Sequence, residues 1–90
     1  MKYRLVNVQQ RNEQFPRTFH IPPQDYVYEV GDMVKLIFTD GAHNERMWVE
    51  ITHMNGNSFE GVLRNDPAFL KDLSYDDEIR FNLWHIAAVE

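Results

Sequence analysis

From Gly31 onward the chain alternates apolar and polar residues with a period of two, the signature of strands with one face turned to a core. Val34, Leu36 and Phe38 share one face of a first strand, and Met47, Val49 and Ile51 share one face of a second, Arg46–Met54. Asn55-Gly56 then reads as a tight hairpin, because both residues tolerate the positive φ of a type I′ turn. Ser58–Arg64 is the returning strand. Asn65-Asp66-Pro67 opens a short helix expected over Ala68–Leu73, with Asp66 capping its free amides and Pro67 in the first turn. Asp76-Asp77 mark another turn. Glu78–Leu83 is a further strand with Ile79, Phe81 and Leu83 inward. Trp84-His85 interrupt it, and Ile86–Val89 form the last strand.

Before Gly31 the pattern is weaker. Residues 1–9 alternate loosely, enough for a short strand. Residues 10–25 are polar and punctuated by Pro16, Pro22 and Pro23, which leaves no room for a long helix and predicts one helical turn near Pro23–Tyr26. The expected fold is mainly β: a small SH3-like barrel or a strongly bent antiparallel sheet, with one short helix and an irregular N-terminal segment. Residues 1–90 read as a single domain, with 1–30 packing on a β core of 31–90.

Composition narrows the picture. The chain has 90 residues, of which 43% are hydrophobic and 13% aromatic, enough for one thin core and too apolar for disorder. With no cysteine it can form neither a disulfide framework nor a thiolate metal site, which fits a cytoplasmic protein. No apolar run reaches the roughly 18 residues of a membrane span, so a soluble protein without a membrane partner is expected. Residues 1–17 hold four basic side chains against one acid, net +3, while residues 18–90 hold five against thirteen, net −8. Modest acidity keeps a small domain soluble; it would also suit a basic partner and repel phosphate backbones.

Four segments carry a resemblance: Gly31-Asp32-Met33-Val34-Lys35-Leu36, Glu45-Arg46-Met47-Trp48-Val49-Glu50, the run Phe59–Pro67 through Glu60-Gly61-Val62-Leu63-Arg64-Asn65-Asp66, and Asp77-Glu78-Ile79-Arg80-Phe81 with His85-Ile86. Over roughly residues 15–88 the chain resembles a bacterial family catalogued as domain of unknown function 2314. Asp76 stands where that pattern has glycine. The resemblance implies a shared fold and transfers no catalytic residue. Association of related small bacterial domains with toxin–immunity systems points by analogy toward inhibition of another protein.

Candidate chemistry is sparse. His20, His43, His53 and His85 match no zinc-ligand spacing and read as ordinary surface or hairpin histidines. Asp76-Asp77-Glu78 reads as a solvated turn rather than paired catalytic carboxylates. There is no nucleophile elbow and no glycine-rich phosphate loop. No cofactor and no catalysis are expected. Trp48 shares a strand face with Glu50 and Thr52, opposite Val49 and Ile51, and Trp84 follows Arg80 and Asn82 in the same way. A partner surface of Trp48, Glu50, Tyr75, Asp76, Asp77, Arg80 and Trp84 follows, facing another protein that is basic if charge guides the encounter. The competing expectation for Trp48 is burial under Phe15, Phe19 or the Pro22-Pro23 segment. The function expected is that of a non-catalytic protein-binding, inhibitor or immunity-type module from a bacterium or phage. The alternative is a nucleic-acid-binding barrel using Lys2, Arg4, Arg11 and Arg17, with Tyr3 and Phe15 for stacking.

Overall fold

The computed structural model describes residues 3–14 and 21–90. Its elements are β1 (Arg4–Leu5), α1 (Val8–Gln14), β2 (Met33–Thr39), β3 (Asn44–Asn55), β4 (Ser58–Leu63), β5 (Glu78–Asn82), a single 3₁₀ turn (Leu83–His85) and β6 (Ile86–Val89). β1 to β5 form one antiparallel ladder in the order β1-β2-β3-β4-β5, and β6 pairs with the other half of the β2 edge that β1 uses. The sheet bends into a nearly closed barrel. Five antiparallel strands leave β1 and β5 running in the same direction at the two ends. The seam between them is a cleft of about 380 Å³ lined by Tyr3, Arg4, Leu5, Glu78, Arg80 and His85.

The period-two pattern decides what lies inside. Val34, Leu36 and Phe38, then Met47, Val49 and Ile51, then Phe59 and Leu63, then Ile79 and Phe81 are all buried in one cluster, and Ile86 closes it. Burying such side chains is worth about 1.5–3 kcal/mol each. Gly61 is the exception that makes β4 fit. A Cβ there would collide with the Glu50 carbonyl oxygen and lie 2.6 Å from Val49 Cγ1, where β3 carries a register shift between Ile51 and His53. Only glycine lets the two strands close at that point.

A second, smaller cluster lies on the outer face of β2, where Ile37 is covered by Val6 and Val8, with Ile21 and Ala87 beside them. The N-terminal segment therefore packs on the sheet through this patch. The short helix of the fold is α1 in this segment, where a short strand followed by a polar stretch with no room for a long helix was expected. Asn7 Oδ1 accepts the Gln10 N–H at 2.9 Å, and seven residues fit before the first proline.

Three local expectations need correction. No helix forms at Ala68–Leu73. The amides of Ala68, Phe69 and Leu70 instead donate to the carboxylate of Glu45, at 2.8, 2.7 and 2.7 Å, so a strand residue takes the role expected of Asp66. The hairpin turn is displaced by one residue. Asn55 pairs with Ser58, leaving Gly56-Asn57 as the loop, and only Gly56 has positive φ, at 62°, which matches a II′ turn rather than I′. β5 ends at Asn82, and Leu83 opens the 3₁₀ turn, where it packs against the core. Where a helical turn was expected near Pro23–Tyr26 the chain makes a single hydrogen-bonded turn, closed by Tyr26 N–H donating to the Pro23 carbonyl at 3.1 Å.

Candidate functional site

The outer faces of β3 and β4 and the loop 64–77 build the most structured polar-aromatic surface. Trp48 faces outward, half-buried, as strict alternation with Val49 requires. The Lys35 ammonium, its cross-strand neighbour on β2, sits 4.8 Å from the centre of its ring. The Trp48 N–H donates to Asn65 Oδ1, and its carbonyl accepts the Arg64 N–H at 2.9 Å, so the loop start is tied directly to β3. Of the segments expected to cover Trp48, Phe15 and Phe19 lie outside the described residues. Pro22 and Pro23 lie elsewhere, lining a small cavity with Gln9, Tyr28, Leu83 and Ile86.

Arg64 organises the face. Its Nε donates to Glu50 Oε1 at 3.1 Å, a terminal nitrogen donates to Asp76, and its guanidinium lies 5.6 Å from the Tyr75 ring centre. The hydrogen bond that the guanidinium donates to Glu50, and then the charges of Asp76 and Glu50, raise its pKa. Tyr75 is 51% exposed, and Phe69, 59% exposed, stacks on the imidazole of His43 with ring centres 5.4 Å apart. The same loop sends Leu70 and Leu73 into the core, which anchors its outward residues. Asp76 holds φ at +77°, the left-handed conformation glycine adopts most easily, at the position where the resemblance led to an expectation of glycine.

The structure thus gathers Trp48, Glu50, Tyr75 and Asp76 around Arg64 and Lys35. Asp77 belongs to the backbone of this region: its carboxylate accepts the Ser74 N–H at 2.8 Å and its carbonyl accepts the Leu63 N–H at 2.9 Å. Arg80 stands apart, opposite Glu60 on β4 with their charged ends 3.9 Å apart, about 13 Å along the strand from Arg64. Trp84 lies in the 3₁₀ turn, edge-on to His85 at 5.9 Å. Sequence reasoning missed Arg64, Lys35, Phe69 and His43. Lys35 and Arg64 were visible as cations in the quoted segments, but only strand register pairs them with Trp48 and Glu50.

Burial biases two groups at the seam toward their neutral forms. Burial, and then the charge of Asp77, raises the Tyr3 pKa, and burial lowers that of His85, whose Nδ1 accepts the Asn82 N–H at 2.9 Å. Tyr28, packed edge-on against Phe59, is pushed up to about 12 by burial, then by Tyr26 and Asp32. Among the described residues no group of three or more metal-ligating side chains could hold a metal ion. His53 Nδ1 lies 3.1 Å from Thr52 Oγ1, but that hydroxyl donates to the Glu60 carbonyl, so the imidazole is not placed to remove its proton. No helix among the described residues is long and apolar enough to cross a membrane.

Fold and face together define a small antiparallel, barrel-like domain with an aromatic and charged outer surface. The family model described as uncharacterized protein conserved in bacteria, DUF2314, matches residues 1–88, and the chain belongs to that family. No curated protein and no solved structure matches it.

Proposed function

We propose that the chain is a non-catalytic protein-binding module that engages its partner through the face around Arg64. One observation carries this reading: Trp48, Tyr75 and Phe69 remain wholly or partly exposed on a surface held rigid by Glu45, Asn65 and the core residues Leu70 and Leu73. Aromatic side chains on a pre-ordered surface give large contact area at little entropic cost, as binding hot spots do. The net charge of −8 over residues 18–90 favours a basic partner and speeds encounter. An inhibitor or immunity role, an SH3-like arrangement of the barrel and a cytoplasmic setting belong to the same reading; the cysteine-free chain supports the last.

The test is affinity capture from the host with the wild-type chain and with Tyr75→Ala and Phe69→Ala. A partner retained by the wild type and lost by about 2 kcal/mol or more in either variant, with both variants folded, supports the reading. Partners that bind all three chains equally overturn it.

A further inference from the structure

The outer face of the sheet holds a second arrangement, at the opposite end of β2 from the Lys35–Trp48 pair. Strand register sets Arg4 of β1 opposite Thr39 of β2, and Thr39 opposite Asn44 of β3, so the three residues form a row across three strands. Above the row lies α1, held down by Val8 on Ile37. Asn7, Gln10, Arg11 and Gln14 follow the i, i+3, i+4, i+7 spacing of one helical face, and all four line the cleft of about 490 Å³ between helix and row.

Charge in this cleft has one sign. Arg4 and Arg11 line it, and among the described residues no carboxylate does. The neighbouring acids are engaged or absent: Asp40 accepts the Ala42 and His43 amides at 2.8 and 2.6 Å, Glu45 holds the 68–70 loop, and Glu13 is not part of the lining. Among the described residues Arg64 and Arg80 face carboxylates, whereas no ion pair engages Arg4 or Arg11. In a chain with fourteen acids and nine bases, two arginines lining one cleft beside side-chain amides and a hydroxyl suit an external oxyanion. The described lining is rich in side-chain amides, which suits a hydroxyl-rich body.

We infer that this cleft binds a small phosphorylated polyol, its phosphate on Arg4 and Arg11 and its hydroxyls on the amides of Asn7, Gln10, Gln14 and Asn44. A phosphate monoester carries close to two negative charges at neutral pH and matches two guanidinium groups, and side-chain amides both donate to and accept from hydroxyls. The site is separate from the Trp48 face and does not depend on it.

The experiment is titration of the full chain with ribose 5-phosphate, followed by backbone-amide NMR and calorimetry, with ribose and inorganic phosphate as separate arms. Saturable shifts should appear at residues 4–14 and 39–44. Ribose alone should not bind, inorganic phosphate should bind more weakly than the sugar phosphate, and added salt should weaken both anions. Arg4→Gln and Arg11→Gln should each weaken binding about tenfold or more. Gln14→Glu, which truncates nothing and adds a like charge, should do the same while the melting temperature stays near that of the wild type. No saturable binding of ribose 5-phosphate, shifts mapping to another surface, or undiminished affinity in folded Arg11→Gln and Gln14→Glu would each overturn the inference. Inorganic phosphate binding as tightly as the sugar phosphate would overturn its polyol part.

Discussion

Glu45 makes the sharpest test of how this fold is held. Its two carboxylate oxygens receive three consecutive amides, from Ala68, Phe69 and Leu70, across more than twenty residues of chain. The amides of 68 and 69 are in exposed positions and can turn to water, whereas Leu70 is buried and carries its amide with it. Hydrogen bonds to a charged group contribute about 1.5–3 kcal/mol when well desolvated. Discounting the two exposed amides leaves roughly 2–3 kcal/mol for the whole arrangement. In Glu45→Ala both acceptor oxygens are removed, so most of that contribution is lost. For a domain of this size the melting temperature should fall by about 10 °C, a large share of a total stability of roughly 5–13 kcal/mol. The pH dependence gives a second reading. Burial pushes the Glu45 pKa up, but the donated amides of Ala68, Leu70 and Phe69 and the nearby His43 outweigh it, and the net shift is downward from 4.5. A carboxyl whose pKa is lower folded than unfolded contributes fully above its unfolded value, and the contribution is lost as pH falls through the folded value. The stability gap between wild type and Glu45→Ala should therefore be constant near neutrality and shrink below about pH 4.5. Thermal melts across pH decide it. A variant that melts within about 1 °C of the wild type at neutral pH, or a gap unchanged under strong acid, refutes the reasoning.

Four further outcomes follow from single residues. Gly61→Ala should cost at least about 1–3 kcal/mol, since its Cβ meets strand backbone that cannot move aside; denaturant unfolding measures it, and a neutral result means β3 and β4 are not that close. At Asp76, alanine should be less stable than glycine by about 1 kcal/mol, because both lose the contact to Arg64 but only glycine accepts φ of +77° freely; equal midpoints would count against the left-handed backbone. NMR titration of the histidine rings should place His85 below its ordinary 6.5, so the stability it contributes while neutral is complete above pH 6.5 and declines as acid protonates it; a value at or above 6.5 contradicts its burial. Trp48→Ala should cost about 1–3 kcal/mol, less than a core tryptophan, because the ring is half-buried on the outer face with the Lys35 ammonium over it; a loss of about 4 kcal/mol or more would mean something else covers it.

The residues that alternate strictly were legible because a strand repeats every two positions and a buried face must be apolar. Val34–Phe38, Met47–Ile51 and Ile79–Phe81 needed no tertiary information, nor did the membership implied by Glu45–Glu50 and Phe59–Pro67. The departure at Asp76 was also visible in the sequence, although only the backbone showed that it occupies the left-handed conformation glycine would have taken. Local capping rules failed where distant groups competed. Asp66-Pro67 is a sound helix start in isolation, yet Glu45 reaches the same amides from another strand and holds them in an irregular loop that seats Leu70 and Leu73. The hairpin moved by one residue because pairing of Asn55 with Ser58, set by the whole β3–β4 register, overrode the local preference of Asn55-Gly56. α1 exists because Ile37 offers an apolar patch for Val6 and Val8, which seven polar-rich residues cannot announce by themselves. The functional surfaces divide in the same way. Composition marks Trp48 as exposed or covered and marks the N-terminus as basic, but whether Trp48 meets Lys35, whether Arg64 joins Glu50 to Asp76, and whether Arg4 and Arg11 share a cleft are matters of strand register and helix docking, which bring together residues the chain keeps far apart.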